Sequence, residues 1–250
     1  MESSELISDS DHQLSRNQVQ TILEIRDKRN KEKIPLAYLL EEAAFAGMRF
    51  FVNNDVLIPR PETEFLVNLI LDEIKERKIH QPSILDLGTG SGCIAITLKH
   101  ALPAAKVYAS DISQAALNVA GINANRHKTE IQFIIGDYLD PFLNLSKSPI
   151  ALPVMRSKPP YFDIIVSNPP YVTKEEYEKL EPELYHEPKH ALVGFPYEHI
   201  KKQILENNLL KKNGFMAFEF GYNQKTKLEK IFPEARFYKD LENNDRFLVN

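Results

Sequence analysis

The sequence of 250 residues is poor in cysteine and in long apolar runs. Cys93 is the single cysteine, so no intramolecular disulfide can form. Because the sequence also contains neither a CxxC pair nor a cluster of cysteine and histidine, we predict no metal site. No apolar stretch approaches the roughly 20 residues that cross a bilayer, so we predict no association with membranes.

A marked excess of positive charge is absent as well. The chain has 31 Lys and Arg residues against 35 Asp and Glu residues, which gives a formal net charge of −4. Proteins built around a broad phosphate-binding surface are usually basic, so we expect no direct stable binding of nucleic acid. Residues 1–13 are acidic and polar, unlike a secretory signal. We therefore expect a cytoplasmic protein with an ordinary globular core, and we expect it to be a monomer.

Short apolar runs alternate with helical stretches from Pro82 onward. Runs such as SILDL, VYASD and FDIIV predict strands, while CIAITLKHAL and YEHIKKQILENNLLKK (197–212) predict helices. This alternation predicts a doubly wound, largely parallel sheet. The four residues ENND between the last two strands are too few for a crossover helix, so that pair must be an antiparallel hairpin. We therefore predict an α/β, Rossmann-like class I methyltransferase fold with seven strands.

The chain divides into three predicted regions. Residues 1–34 form a short N-terminal helical segment, in which residues 14–31 carry the spacing of an amphipathic helix. Residues 35–60 form a linker or hairpin, with a short helix followed by an extended segment. Residues 61–250 form the methyltransferase domain, and its opening Pro61 suits a first helical turn. Residues 143–161 contain four prolines without a clear period, which indicates a loop.

A glycine-rich turn, LDLGTGSGC, follows the first predicted strand of this domain. Its GxGxG spacing differs from the GxGxxG of dinucleotide sites, and it has no lysine that would grip a phosphate. This pattern suits an adenosine ligand without a pyrophosphate, and S-adenosylmethionine fits that description. The residues of the turn predicted to bind this cofactor are Asp86, Gly88, Thr89, Gly90, Ser91 and Gly92.

Acidic residues end the next two predicted strands. Asp111 closes VYASD and can accept hydrogen bonds from both hydroxyls of a ribose. Asp137 follows IQFIIG, where it can receive the amino group of an adenine, with Tyr138 lying against the ring. Each acid taken alone is also typical of a helix cap. Ligands of open α/β sheets bind at the carboxyl ends of strands, so the three consecutive strand ends together favour a cofactor site.

The stretch SNPPYV (167–172) ends the fourth predicted strand. Asn168 precedes a proline and therefore stays extended, and Pro169 and Pro170 are stiff and lack N–H groups. The Oδ1 atom of Asn168 and the Pro169 carbonyl can accept the two hydrogens of a planar NH2 group, while Tyr171 packs against it. Acceptors aimed at this nitrogen stabilise the charge that develops during methyl transfer. We predict that Asn168, Pro169 and Tyr171 are catalytic, that Asn168 also contacts the cofactor, and that residues 168–171 bind substrate.

Several motifs together resemble the release factor glutamine methyltransferases of the HemK/PrmC type. They are IPRPETE (58–64), DLGTGSGCIAI (86–96), SNPPY (167–171), EP with AL (187–192) and EFGYNQ (219–224). The resemblance implies methylation of the side-chain amide of the glutamine in the Gly-Gly-Gln loop of class I peptide chain release factors, the expected protein partners. It also implies that Gly88 to Gly92, Asp111, Tyr138 and Asn168 contact S-adenosylmethionine. The chemistry of the five residues RPETE, considered without the resemblance, indicates no catalytic role for them.

The sequence departs from this family at a few places. Residues 1–34 are shorter than the usual N-terminal domain, which implies a truncated recognition module. Glu41 stands where a glycine is usual, and Tyr138 where relatives often have tryptophan. Three alternatives remain open: an adenine-amino methyltransferase acting on a flipped base of DNA or RNA, a glutamine methyltransferase of a ribosomal protein, and a non-catalytic protein that binds S-adenosylmethionine.

Overall fold

The computed structural model of the chain describes residues 15–143, 159 and 161–250. The α-helices within these residues are α1 (Arg16–Glu32), α2 (Leu36–Leu40), α3 (Pro61–Glu76), α4 (Cys93–Ala101), α5 (Gln114–Arg126), α6 (Asp140–Leu143), α7 (Lys174–Tyr177), α8 (Tyr197–Glu206) and α9 (Lys225–Ile231). The strands are β1 (Glu42–Phe45), β2 (Met48–Phe51), β3 (Ser83–Leu87), β4 (Lys106–Asp111), β5 (Gln132–Ile135), β6 (Phe162–Ser167), β7 (Leu210–Glu219), β8 (Arg236–Lys239) and β9 (Asp245–Val249). The predicted loop at 143–161 lies almost entirely outside the described residues.

The main sheet has seven strands in the order β5-β4-β3-β6-β7-β9-β8. The first five strands of this order pair in parallel, whereas β9 runs antiparallel to both β7 and β8. The predicted α/β sheet with its antiparallel C-terminal hairpin is therefore confirmed. The strand order reverses next to β3, since β4 and β5 lie on one side of it and β6 and β7 on the other. Open sheets of this kind bind ligands outside the carboxyl ends of the strands at such a reversal.

Successive residues of the central strands are buried on opposite faces of the sheet. Ile84 and Ile164 belong to an apolar cluster with α3 and α4, while Leu85 and Ile165 belong to a second cluster with α8 and α9. Both faces of the sheet are thus covered, and for this reason its strands appear in the sequence as continuous apolar runs.

One predicted element differs from the structure. The helix predicted over 197–212 ends at Glu206, and β7 begins at Leu210, so Lys211 and Lys212 belong to a strand. Asn208 has a left-handed φ of +51°, which stops the helix and turns the chain toward the sheet.

Of the two forms predicted for residues 35–60, linker or hairpin, the structure has a hairpin of β1 and β2 after α2. Its turn residues Ala46 and Gly47 both have positive φ, as a type I′ turn requires.

Asn123 of α5 fixes this hairpin beside the glycine-rich turn. Its Nδ2 donates to the carbonyl oxygens of Phe51 and Ser91, each at 2.9 Å. Its Oδ1 accepts from the Phe51 N–H at 2.7 Å. The side chain is fully buried, so these three hydrogen bonds connect the hairpin, the helix and the turn without competition from water.

The N-terminal helix α1 is largely solvated. A capping box begins it, since Ser15 accepts from the Gln18 N–H and the Gln18 side chain accepts from the Ser15 N–H. None of its residues is buried, and Ile22 is 50% exposed. Among the described residues, no helix combines the length and the apolar character that a membrane span needs. The division of the chain at residues 34 and 60 stays a prediction.

Candidate active site

The glycine-rich turn joins β3 to α4 at the carboxyl edge of the sheet. Gly88 and Gly90 have φ values of +69° and +54°, in the left-handed region that favours glycine. A Cβ atom on either residue would meet no other atom within 4 Å, and both residues line an open cleft. Gly92 has a different role. Its Cβ would lie 3.0 Å from Cδ1 of Ile96 and 3.2 Å from Cβ of Ala120, so this glycine lets α4 and α5 approach each other.

The first three N–H groups of the turn are bonded within the protein. Those of Gly88 and Thr89 donate to the Ser110 carbonyl oxygen at 2.8 and 3.0 Å. That of Gly90 donates to Oδ2 of Asp111 at 2.9 Å. These bonds hold the turn against the end of β4. The glycines therefore provide room for a ligand rather than hydrogen-bond donors to it.

Asp86 lies beneath the turn and is fully buried, so it does not line the cleft. Its Oδ2 accepts from the Thr89 hydroxyl at 2.7 Å, which ties the turn to β3. Burial raises the pKa of Asp86 to about 7, and the nearby Asp111 acts in the same direction. In the structure Asp86 supports the turn through Thr89. The predicted contact between Asp86 and the cofactor stays a prediction.

Three further predicted residues line the cleft beside the glycines. Asp111, at the end of β4, accepts one N–H on each oxygen, from Ser113 at 2.9 Å and from Gly90 at 2.9 Å. Each carboxylate oxygen keeps a second lone pair, so Asp111 can still accept hydrogen bonds from a ligand. Asp137 and Tyr138 follow β5 on the same cleft. These acceptors at two adjacent strand ends fit the ribose and adenine of S-adenosylmethionine.

The Tyr138 side chain reaches toward a loop across the cleft. Its ring lies edge-on to Phe195, with centroids 5.2 Å apart, and its hydroxyl donates to the Gly194 carbonyl oxygen at 3.4 Å. Its own φ is +42°, an unusual value for a residue with a side chain. The strained turn after β5 therefore directs an aromatic ring to the cleft, where the sequence predicts contact with adenine.

The cleft brings together most of the predicted site residues but not all of them. Those that line it are Gly88, Thr89, Gly90, Ser91, Asp111, Asp137, Tyr138, Asn168 and Pro170. Those that do not line it are Asp86, Gly92, Pro169 and Tyr171. The set that lines it comes from four separate stretches of the sequence, and the parallel sheet places their strand ends at one edge.

Asn168 occupies the end of β6, where the sequence predicts the substrate amide. Its Nδ2 donates to Oγ1 of Thr63 at 2.9 Å. Its Oδ1 is buried and has no hydrogen-bond partner among the described residues. An acceptor in this state is costly unless something binds it, because buried polar atoms are nearly always paired. Asn168 thus lines the cleft and carries an acceptor, Oδ1, that has no partner among the described residues.

Tyr171 lies behind this position. Its hydroxyl donates to Oε1 of Glu219 at 3.4 Å, and its carbonyl oxygen accepts from Nε2 of Gln224 at 2.7 Å. Burial raises the pKa of Tyr171 above its usual range, so this side chain is a neutral hydroxyl. The predicted contact between Tyr171 and a flat substrate group stays a prediction, and in this structure the tyrosine supports Glu219.

Sequence reasoning missed two residues next to Asn168. Thr63, in the RPETE motif, donates to Oε2 of Glu219 at 2.7 Å, and Glu219 opens the EFGYNQ motif. Both motifs were visible in the sequence, but their chemistry was not, because the three residues lie far apart along the chain. Further residues of the cleft wall are Asp55, Val56, Leu57 and Ile112, which have no sequence signal, and His190, which lies inside the motif at 187–192.

Comparison with known proteins identifies relatives over most of the chain. The family model "Methyltransferase small domain" matches residues 62–194. A release factor glutamine methyltransferase of Fusobacterium nucleatum subsp. nucleatum is 35% identical over 246 residues, which cover 94% of this chain and 64% of the relative. A release factor glutamine methyltransferase of Bacillus anthracis is 36% identical over 233 residues, which cover 87% of this chain and 76% of the relative. A methyltransferase from Pyrococcus furiosus aligns with a TM-score of 0.51 at 15% identity, over 94% of this chain and 97% of that one, and this likeness concerns the fold alone.

The chain thus spans somewhat less than two thirds of the Fusobacterium relative and about three quarters of the Bacillus one. The fold, the cleft at the carboxyl edge of the sheet and the identity over this length agree with one another. The predicted resemblance is confirmed, and this chain belongs to the release factor glutamine methyltransferase family.

Proposed function

We propose that this protein transfers a methyl group from S-adenosylmethionine to the side-chain amide nitrogen of the glutamine in the Gly-Gly-Gln loop of class I peptide chain release factors. One observation carries the proposal: Asn168 lines the cleft and its Oδ1 is buried without a partner among the described residues. A primary amide supplies the N–H that such an acceptor lacks. Membership of the family adds the identity of the amide.

The residues of the cleft fit the cofactor in distinct roles. Asp111 binds the ribose hydroxyls, Asp137 and Tyr138 hold the adenine, and the space beside Gly88 and Gly90 admits the methionine part. When bound, S-adenosylmethionine supplies a methyl group activated by the positive charge on its sulfur. The protein then has to orient the amide nitrogen toward this methyl group and to stabilise the positive charge that passes from the sulfur to the nitrogen.

Asn168 and Pro169 act on the nucleophile. An amide nitrogen is a weak nucleophile because its lone pair is delocalised into the carbonyl. Oδ1 of Asn168, which lines the cleft, accepts one hydrogen and keeps electron density on the nitrogen. The carbonyl oxygen of Pro169 is the predicted acceptor of the other hydrogen, although Pro169 does not line the cleft in this structure. Transfer would form the nitrogen–carbon bond and break the sulfur–carbon bond, which leaves a neutral thioether, and the nitrogen would then lose one proton to solvent water. Acceptors already in place stabilise the positive charge on nitrogen without reorganisation.

A methyl-transfer assay tests the proposed substrate. The protein is incubated with labelled S-adenosylmethionine and a purified class I release factor, either wild type or with its loop glutamine replaced by alanine. We expect label on the wild-type factor alone. Equal label on both factors would contradict the proposed glutamine. Transfer to DNA, RNA or a ribosomal protein in place of the release factor would favour the corresponding alternative.

Substitution of Asn168 tests the proposed mechanism. We expect Asn168→Ala to lower kcat by at least ~10²-fold, the scale found when a positioned group that stabilises a transition state is lost. Affinity for S-adenosylmethionine, measured by calorimetry, should stay near the wild-type value. Asn118→Ala, on the exposed side of α5, is the matched control and should leave kcat unchanged. Unchanged turnover in Asn168→Ala would overturn the role of this amide.

A further inference from the structure

A buried chain of hydrogen bonds connects β7 and α3 to Asn168. Oγ1 of Thr63 donates to Oε2 of Glu219 at 2.7 Å, and Nδ2 of Asn168 donates to Oγ1 of Thr63 at 2.9 Å. Thr63 and Glu219 are each only 1% exposed, so water does not compete for these bonds. The proposed reaction assigns neither residue a role.

The direction of these bonds follows from the atoms that each residue has. The hydroxyl of Thr63 has one hydrogen, and a carboxylate only accepts, so that hydrogen is directed to Glu219. The Thr63 oxygen then offers only lone pairs to Asn168. It can therefore meet the NH2 group of that amide but not its carbonyl oxygen. This fixes which end of the Asn168 side chain faces Thr63, a choice that the positions of the heavy atoms alone do not settle.

The contacts of Glu219 keep this direction when the carboxylate is ionised and when its proton lies on Oε1. Oε1 accepts from the Tyr171 hydroxyl at 3.4 Å, and the Tyr197 hydroxyl donates to the Glu219 carbonyl oxygen at 3.0 Å. Burial raises the pKa of Glu219 to about 7, while the hydrogen bond from Thr63 and the charge of Arg246 act in the opposite direction. A proton bound at Oε1 faces the Tyr171 oxygen, which has free lone pairs, so Oε2 still accepts from Thr63.

We propose that Thr63 and Glu219 are positioning residues, which hold the Asn168 amide with Oδ1 free for the substrate NH2 group. The inference rests on the proposed function and extends it to two residues that act through Asn168, of which Thr63 also lines the cleft. The reversed amide would present its own NH2 to the substrate NH2, so that two donors face each other. In that orientation Asn168 stabilises no charge on the substrate nitrogen.

A double-mutant cycle separates positioning from a general structural role. Thr63→Val keeps the shape of the side chain and removes the hydroxyl, and we expect kcat to fall by about 10- to 100-fold with little change in KM for the cofactor. Thr63→Ser restores the hydroxyl and should recover most of kcat. In the Asn168→Ala background, Thr63→Val should cost almost nothing further, because its effect passes through Asn168. Thr97→Val, another buried threonine of this domain, is the matched control and should retain full activity.

The outcomes of the cycle are distinct. Additive losses in the double variant, or no recovery in Thr63→Ser, would overturn the positioning role. So would a Thr63→Val variant that is folded, as judged by circular dichroism and cofactor binding, and turns over at the wild-type rate.

A measurement on the wild-type protein needs no turnover and covers the case in which Thr63→Val does not fold. The side-chain NH2 signal of Asn168 in a 15N spectrum is assigned by its disappearance in Asn168→Asp. We expect one of its two protons to exchange slowly with solvent, because it is bonded to Thr63. Fast exchange of both protons would overturn the inference alone, whereas failure of the wild type to methylate any release factor would overturn only the proposed function.

Discussion

At the scale of single residues, the sequence predicted an acceptor at Asn168 but not the hydrogen-bond partner of its side chain. The proline that follows it predicts an extended residue, and the amide type predicts an acceptor. In the structure, Nδ2 of Asn168 donates to Oγ1 of Thr63, which lies 105 positions away along the chain. Such a contact has no local pattern, because it depends on how α3 packs beside the sheet. The same holds for Asp86, whose burial beneath the turn does not follow from its place in LDLGTGSGC.

The burial of Asp86 predicts a pH dependence of stability. Its pKa is about 7 in the folded protein against about 3.9 in an unfolded chain. A carboxyl group with a raised folded-state pKa contributes stability that is fully present below pH 4 and is lost as pH rises through 7. We expect Asp86→Asn to remove this loss, which amounts to at most about 4 kcal/mol over that interval. Urea unfolding without cofactor between pH 4 and 8 measures it, and parallel curves for both proteins would contradict the prediction.

At the scale of elements, the alternation of apolar runs and helical stretches was enough to predict the sheet. Each central strand is covered on both faces, and the run FDIIV carries this signal directly. Boundaries were less accurate where one amphipathic pattern continues across a turn. Residues 197–212 appear helical throughout because Leu209 and Leu210 extend the apolar spacing of α8. The left-handed Asn208 ends the helix, and an asparagine in this position is difficult to distinguish from one inside a polar face.

The connection between the hairpin and the glycine-rich turn depends on Asn123. Replacing it by alanine would leave the N–H and carbonyl of Phe51 and the carbonyl of Ser91 without partners in a buried place. Because each unpaired group costs about 1–3 kcal/mol, we expect Asn123→Ala to lower the free energy of unfolding by about 3 kcal/mol or more. Urea unfolding measures the change, and Asn118→Ala on the exposed side of the same helix should cost under about 0.5 kcal/mol. Equal costs for the two variants would refute this role.

At the scale of the whole molecule, the parallel sheet explains why widely separated motifs form one site. The carboxyl ends of β3, β4, β5 and β6 meet at a single edge, so Gly88, Asp111, Asp137 and Asn168 face one cleft. This convergence follows from the topology and was predictable once the strands were known. The interpretation of residues 1–34 as a truncated recognition module stays a prediction, and α1 has no buried residue. The cytoplasmic location and the monomeric state stay predictions.

Binding of the cofactor should stabilise the whole fold, because the cleft exists only when the strand ends are assembled. A ligand at about 100 times its Kd adds about 2.7 kcal/mol, which corresponds to a rise in Tm of roughly 5–10 °C for a domain of this size. We expect S-adenosylhomocysteine, the product of the donor, to produce this rise in a thermal melt.

The rise in Tm, measured in variants, distinguishes the part of the cleft beside Asp111, proposed to bind the cofactor, from the part beside Asn168, proposed to bind the substrate. Asp111→Ala removes the predicted ribose acceptor, so the rise in Tm should be largely lost. Asp72→Ala, an exposed acid of α3, should keep it, and so should Asn168→Ala, since its acceptor acts on the substrate. If Asn168→Ala lost the rise in Tm and Asp111→Ala kept it, the assignment would be reversed: the cofactor would bind beside Asn168 and the substrate beside Asp111. The strand ends β3 to β5 would then no longer be the place where the methyl donor binds.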